Sequence, residues 1–152
     1  MLFRSTAESL LLEWTKNPPP VSSPRDLTLG MILAFEQLRT EAAVPFLISN
    51  IGVRPSWSLG DATSFTAILR ESPAIRALIA IGEPAVEPLI TAYHGPIGEG
   101  GRMDTLFTIS QMNGPKVHGF LSTEKNALAE QQNYITHALR RLNPGGKNPR
   151  SP

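Results

Sequence analysis

Apolar residues recur at three- and four-residue spacings along most of this chain, the spacing of helices that bury one face. Ala7, Leu10, Leu11 and Trp14 predict a first helix over residues 6–16, with Trp14 on its core side. The run Asn17-Pro18-Pro19-Pro20 stops it, because proline lacks the amide donor and turns the residue before it away from helical geometry. Residues 17–25 therefore read as a stiff turn between helices, in preference to a polyproline ligand. Asp26 is the expected N-cap of a helix reaching about Thr40, with Leu27, Met31, Ala34, Phe35 and Leu38 as its stripe. A shorter helix follows from Glu41 to Asn50, ended by Gly52. Residues 53–60, with Pro55, Trp57 and Gly60, read as a loop. Asp61 is placed to cap a helix carrying Phe65, Ile68 and Leu69, and Pro73 starts another at the first-turn position that proline tolerates. A final helix, roughly Glu124 to Leu142, sets Leu128, Ile135, Ala138, Leu139 and Leu142 on one face.

The pattern repeats. Ile32, Ala34, Phe35 and Leu38 return 43 residues later as Ile75, Ala77, Leu78 and Ile81. The same offset sets Ala42, Pro45, Phe46 and Leu47 on Ala85, Pro88, Leu89 and Ile90. An offset of 31 carries Ile75, Leu78, Ile81, Pro84, Val86, Leu89 and Ile90 onto Leu106, Ile109, Met112, Pro115, Val117, Phe120 and Leu121. An offset of 30 then sets Thr108, Ile109 and Met112 on Ala138, Leu139 and Leu142. Each unit reads as a helix pair: Gly82 or its equivalent closes the first helix, and Pro84 or Pro115 opens the second. Ala77 and Ala85 are small enough for the two helices of a pair to approach, while the larger residues fill the space between pairs. One pair cannot bury both of its faces, so pairs must stack. The extra length of the first interval is the helix over residues 61–71.

The stretch Ala77-Leu78-Ile79-Ala80-Ile81-Gly82-Glu83-Pro84-Ala85-Val86-Glu87-Pro88-Leu89-Ile90 resembles a bacterial HEAT-like repeat, of the short kind named after phycobilisome lyases. The likeness is best from Ile75 to Tyr93, weaker over residues 32–47 and 106–121, and a trace at Ala138–Pro144. It implies an all-α fold: an α-solenoid of three to four irregular HEAT-like helix pairs, with the N-terminal helix as a cap. That solenoid occupies residues 1–142, and residues 143–152 form a disordered, basic Gly/Pro-rich tail. The repeat motif is structural and carries over no catalytic residue.

Composition narrows the function classes. With no cysteine among 152 residues, disulfide frameworks and cysteine-ligated metals are excluded. The 12 glycines and 14 prolines act mainly as helix punctuation, since they stay below the share that marks low-complexity chains. The formal net charge of +1 hides an asymmetry: Arg140, Arg141, Lys147 and Arg150 follow a body whose net charge is −3. That tail offers a weak route to nucleic acid, although it lacks interleaved aromatics for base stacking. Arg4, Glu8 and Glu13 interrupt the only early apolar run, which fits neither a secretion signal nor a membrane span and makes the cytoplasm the expected location.

Chemistry-bearing residues are scattered. Gly95 and Gly100 in His94-Gly95-Pro96-Ile97-Gly98-Glu99-Gly100-Gly101-Arg102 have the separation of a phosphate-binding loop. The Gly-Lys-Ser/Thr that should follow is missing, and no strand precedes them. Residues 94–102 are expected as an inter-repeat loop. His94, His118 and His137, even with Glu99 and Asp104, lack a metal-ligand spacing, and no nucleophile elbow is present. Trp57 reads as packing rather than as a recognition aromatic. No cofactor, metal or catalytic residue is assigned. The expectation is a non-catalytic protein-interaction or scaffold module whose second helices line a concave face. Ser49, Glu87, Thr91 and His118 would be its contact positions, and His94 and Arg102 would flank it on the loop. The rivals are a lyase-type HEAT-like enzyme or enzyme accessory with its substrate in the concavity, and nucleic-acid binding by the tail.

Overall fold

The structure, a computed structural model, describes residues 2–56, 65–124 and 136. Among them every regular element is helical: α1 Leu2–Lys16, α2 Pro24–Leu38, α3 Val44–Ser49, α4 Phe65–Glu71, α5 Pro73–Ile81, α6 Val86–His94, α7 Glu99–Gln111 and α8 Pro115–Thr123. Single 3-10 turns, Glu41–Ala43 and Glu83–Ala85, lead into α3 and α6. No helix of the described residues is long and apolar enough to cross a membrane. Trp57, Asp61, His137, nearly all of the helix expected from Glu124 to Leu142, and the basic tail lie outside the described residues.

The apolar ladders dictate how the helices pack. α2 lies on α5 and α5 on α7, while α3 lies on α6 and α6 on α8. The two rows meet through α3 against α5, α6 against α7 and α7 against α8. Ile32 and Phe35, Ile75 and Leu78, and Leu106 and Ile109 supply the first row with side chains shut off from solvent. Each such side chain contributes about 1.5–3 kcal/mol by leaving water. Both offsets of the first row, 43 and 31, thus mark equivalent buried positions. Close packing falls between successive units, α2 on α5 and α6 on α7, rather than within the Ala77–Ala85 pair as expected.

The second row runs one residue out of step with expectation. Ala43, Val44 and Leu47 are buried where Ala85, Val86 and Leu89 are, whereas Ala42 is exposed. The offset here is 42, set by Glu41-Ala42-Ala43-Val44 against Glu83-Pro84-Ala85-Val86, and the Pro45–Pro88 equivalence fails. The cause is the turn. Arg39 and Thr40 separate α2 from its 3-10 turn, but Gly82 alone separates α5 from the next. Pro84 therefore sits inside the 3-10 turn instead of opening α6.

Helix ends also move. Ser23, not Asp26, caps α2: its Oγ accepts from the Asp26 amide at 3.3 Å, and Pro24 takes the first turn. Asn50, not Gly52, follows α3 as its C-cap. On α1 the inward face is Leu11, Leu12 and Trp14, packed on the core, while Leu10 is exposed. Glu8 shares that inward side, half-buried. Glycine acts where expected at Gly82 and Gly114, which have φ of +82° and +130°.

Two arginines tie helices together across the sequence. Arg76 grips Glu36 in a fork, Nε to Oε1 at 2.8 Å and Nη2 to Oε2 at 3.0 Å, and its Nη1 donates to the carbonyls of Leu69 and Arg70. Arg54 donates to both Asp104 oxygens, at 2.9 and 2.8 Å, and fixes the chain after α3 to α7. Burial raises the Asp104 carboxyl above its ordinary pKa, and Arg54 pulls it partly back. In the window between those two values the folded state keeps a proton that the unfolded chain has lost. Asp104's contribution to stability therefore declines as pH rises through that window.

Candidate groove between the second-row helices

The site builds up from the exposed sides of α3 and α6. Burying Leu47 and Leu89 fixes the rotation of both helices, and this leaves Ser49, Glu87 and Thr91 exposed. Ser49 from α3 and Thr91 from α6 both line a groove of about 540 Å³, together with the apolar Ile48, Ile51, Ala92 and Ile97. Their hydroxyls donate backwards into their own helices, Ser49 to the Pro45 carbonyl and Thr91 to the Glu87 carbonyl, each at 3.0 Å. With the proton committed, each oxygen faces the groove as an acceptor for donors arriving from outside. Glu87 lies within 3.9 Å of Lys116 on α8, a pair between exposed side chains that contributes little.

The glycine-rich segment is shorter than expected as a loop. Only Gly95 to Gly98 connects α6 to α7, because the helix begins at Glu99 and includes Gly100, Gly101 and Arg102. A Cβ at Gly101 would meet the Ile97 side chain at 2.6 Å, so a larger residue there would push that side chain aside. The P-loop-like spacing of Gly95 and Gly100 thus straddles a helix start.

His94 and Arg102 gather around Tyr93. The rings of Tyr93, His94 and Phe120 meet edge to face, with centroids 5.1–5.8 Å apart. The Tyr93 hydroxyl hydrogen-bonds Glu124, and His94 Nε2 stands 3.7 Å from the same carboxylate. Burial raises the Tyr93 phenol above its ordinary pKa and Glu124 raises it further, while the nearby Arg102 charge lowers it. Arg102 Nε is buried without a hydrogen-bond partner. His118 is exposed on α8 and shares no described contact with this cluster. The six expected contact residues thus divide into Ser49 and Thr91 on the groove, His94 and Arg102 beside Tyr93, and Glu87 and His118 apart from both.

What the sequence did not signal is the apolar lining of the groove and the partner of His94. Ile97, the one large apolar residue in a glycine-rich run, was the available clue to that lining. Glu124 lies 30 residues from His94, and no periodicity connects them. Among the described residues no group of three or more histidine and acidic side chains is placed to hold a metal ion, and Asp104 is already engaged by Arg54.

Comparison with protein families, with curated proteins and with solved structures finds no match to this chain.

Proposed function

We propose that this protein is a non-catalytic interaction module, a short HEAT-like α-solenoid that holds a protein partner against the exposed side of its second helices. The observation that carries the reading is the groove where α3 and α6 face each other, lined by Ile48, Ile51, Ala92 and Ile97 and by two acceptor hydroxyls. A groove of this kind recognises shape first and adds a few directional contacts, as interaction surfaces do. Row-on-row stacking of α2, α5 and α7 beside α3, α6 and α8 supports the solenoid description, since successive helices of each row pack on one another. α4 would be an extra helix inserted between the first and second units, and α1 a cap on the open end of the stack.

The test is cross-linking mass spectrometry in the native host with the unaltered protein and a Ser49→Arg/Thr91→Arg variant. Both residues are exposed, so the fold is expected to survive the change. Cross-links from α3 and α6 to a defined partner should vanish in the variant while cross-links within the chain persist. An unchanged partner pattern would remove this groove from the function.

A further inference from the structure

An asparagine side chain is an electrophile placed beside its own backbone, because the nitrogen of the next residue can close a five-membered ring on its Cγ. Hydrogen bonds that hold the side chain or that nitrogen oppose the closure, and so does a next residue that crowds the nitrogen or lacks its proton. The described residues include three asparagines, Asn17, Asn50 and Asn113. Two of them are held. Asn17 Nδ2 donates to Glu13 Oε1 at 2.6 Å, and the following Pro18 has no N–H. Asn50 Nδ2 donates to the Phe46 carbonyl at 2.8 Å, and the amide that would attack it, that of Ile51, donates to the Ile48 carbonyl at 3.2 Å.

Asn113 differs on every count. It is exposed in the short joint between α7 and α8, and of the seven asparagines in the sequence it is the one that precedes a glycine. The joint is anchored on both sides, by the Met112 amide on the Ile109 carbonyl and by the His118 amide on the Gly114 carbonyl, each at 3.0 Å. Between these anchors the Gly114 amide donates to no carbonyl of the described residues, and the Asn113 side chain makes no hydrogen bond with them. A Cβ at Gly114 would meet nothing within 4 Å, so the space beside the reacting nitrogen is open. Glycine also brings no side chain of its own to obstruct the approach.

We infer that Asn113–Gly114 is a self-modification site, at which the chain converts the Asn113 amide to an acid through a cyclic imide. The Gly114 nitrogen gives its proton to solvent base and bonds to Asn113 Cγ. The Cγ–Nδ2 bond then breaks, and the departing nitrogen takes a proton from water and leaves as ammonia. Water next opens the imide at either of its carbonyls. Opening at Cγ yields an aspartyl residue. Opening at the main-chain carbonyl yields an isoaspartyl residue, in which the backbone runs through Cβ and Cγ and is one atom longer. Both products set a new carboxylate just ahead of the first turn of α8, which has no side-chain cap. The isoaspartyl form also lengthens the joint that positions α8, the helix whose Phe120 meets the rings of Tyr93 and His94. This inference is independent of the interaction-module reading.

The experiment holds the full chain folded in neutral and mildly alkaline buffers made with heavy-oxygen water, then digests it in ordinary water for peptide mapping by mass spectrometry. The peptide containing Asn113 should exchange its NH2 for a solvent-derived OH, at a rate rising about tenfold per pH unit because the attacking species is the deprotonated amide. Its product should accept a methyl group from S-adenosylmethionine under a purified isoaspartyl methyltransferase, which direct hydrolysis of the side chain would not allow. Asn50 should react at least tenfold more slowly, roughly, because its hydrogen bonds must first open. Unfolding in urea should therefore accelerate Asn50 more than Asn113. An Asn113→Gln variant changes one exposed side chain, so it should keep its urea midpoint while losing most of its methyl acceptance. Equal rates for Asn113 and Asn50 in the folded chain overturn the inference. So does an Asn113 product that accepts no methyl group, or undiminished methyl acceptance in the Asn113→Gln variant.

Discussion

Arg39 holds φ +54° and ψ +45°, a left-handed conformation that glycine adopts freely and other residues adopt at a cost of about 1–2 kcal/mol. Its amide still closes α2 by donating to the Phe35 carbonyl at 2.8 Å, so the turn is well made with the wrong residue for its backbone. Gly114 is the reverse case, with φ +130° and ψ +165° in a region that side chains rarely enter. A Cβ at Gly114 would touch nothing within 4 Å, so Gly114→Ala tests the backbone alone. It should destabilise the protein by about 1–3 kcal/mol. Arg39→Gly should stabilise it by about 0.5–1 kcal/mol, the relieved strain less glycine's greater freedom when unfolded. Urea midpoints at constant m-value read both, and equal effects of the two changes would contradict this account. Gly82 and Gly114 were legible in the sequence because a glycine between two apolar stripes announces its own reason. Arg39 was not, since nothing about an arginine in a row marks a left-handed turn.

The joint between helices is where the long-range polar contacts concentrate. Arg76 holds α5 to α2 through Glu36 and closes the end of α4 through the carbonyls of Leu69 and Arg70. Arg76→Met keeps the aliphatic stem and removes all four bonds, and it should cost about 2–3 kcal/mol in urea unfolding. Arg76→Lys should rescue little, because an ammonium cannot reproduce the planar fork. A loss under about 0.5 kcal/mol would class the clamp with ordinary exposed ion pairs. Glu36 and Arg76 stand 40 residues apart with no pattern between them, so sequence spacing could not pair them. The buried ladders were different: Ile32, Ile75 and Leu106 repeat because the same packing problem recurs. The second row was misread by one residue because Pro45 and Pro88 look like a match. The packing instead follows the buried alanine and valine of Ala43-Val44 and Ala85-Val86.

Among the described residues α5 is enclosed on several sides, touched by α2, α3, α4 and α7. Ala74, Ile75, Ala77 and Leu78 are all shut off from solvent, whereas α1 keeps Leu10 about half exposed, at 48%. Native-state hydrogen exchange should accordingly be slowest at Ala77 and Leu78 and fastest along α1, and uniform protection over both helices would refute that ordering. The α7 core adds a further trait. Thr105, Thr108 and Ser110 are buried, yet each hydroxyl donates to a carbonyl of its own helix. Thr105 and Thr108 satisfy their hydroxyls within α7, which is why they did not disturb the 31-residue correspondence with Ala74 and Ala77. The difference between the first two turns has an analogous meaning. Arg39-Thr40 is one residue longer than Gly82, yet Ala43, Val44 and Leu47 reach the same buried places as Ala85, Val86 and Leu89. The chain thus contains an insertion variant of itself, with its control 42 residues downstream. At this hinge length can change without displacing the buried positions: a residue added beside Gly82 has a working precedent inside the same molecule.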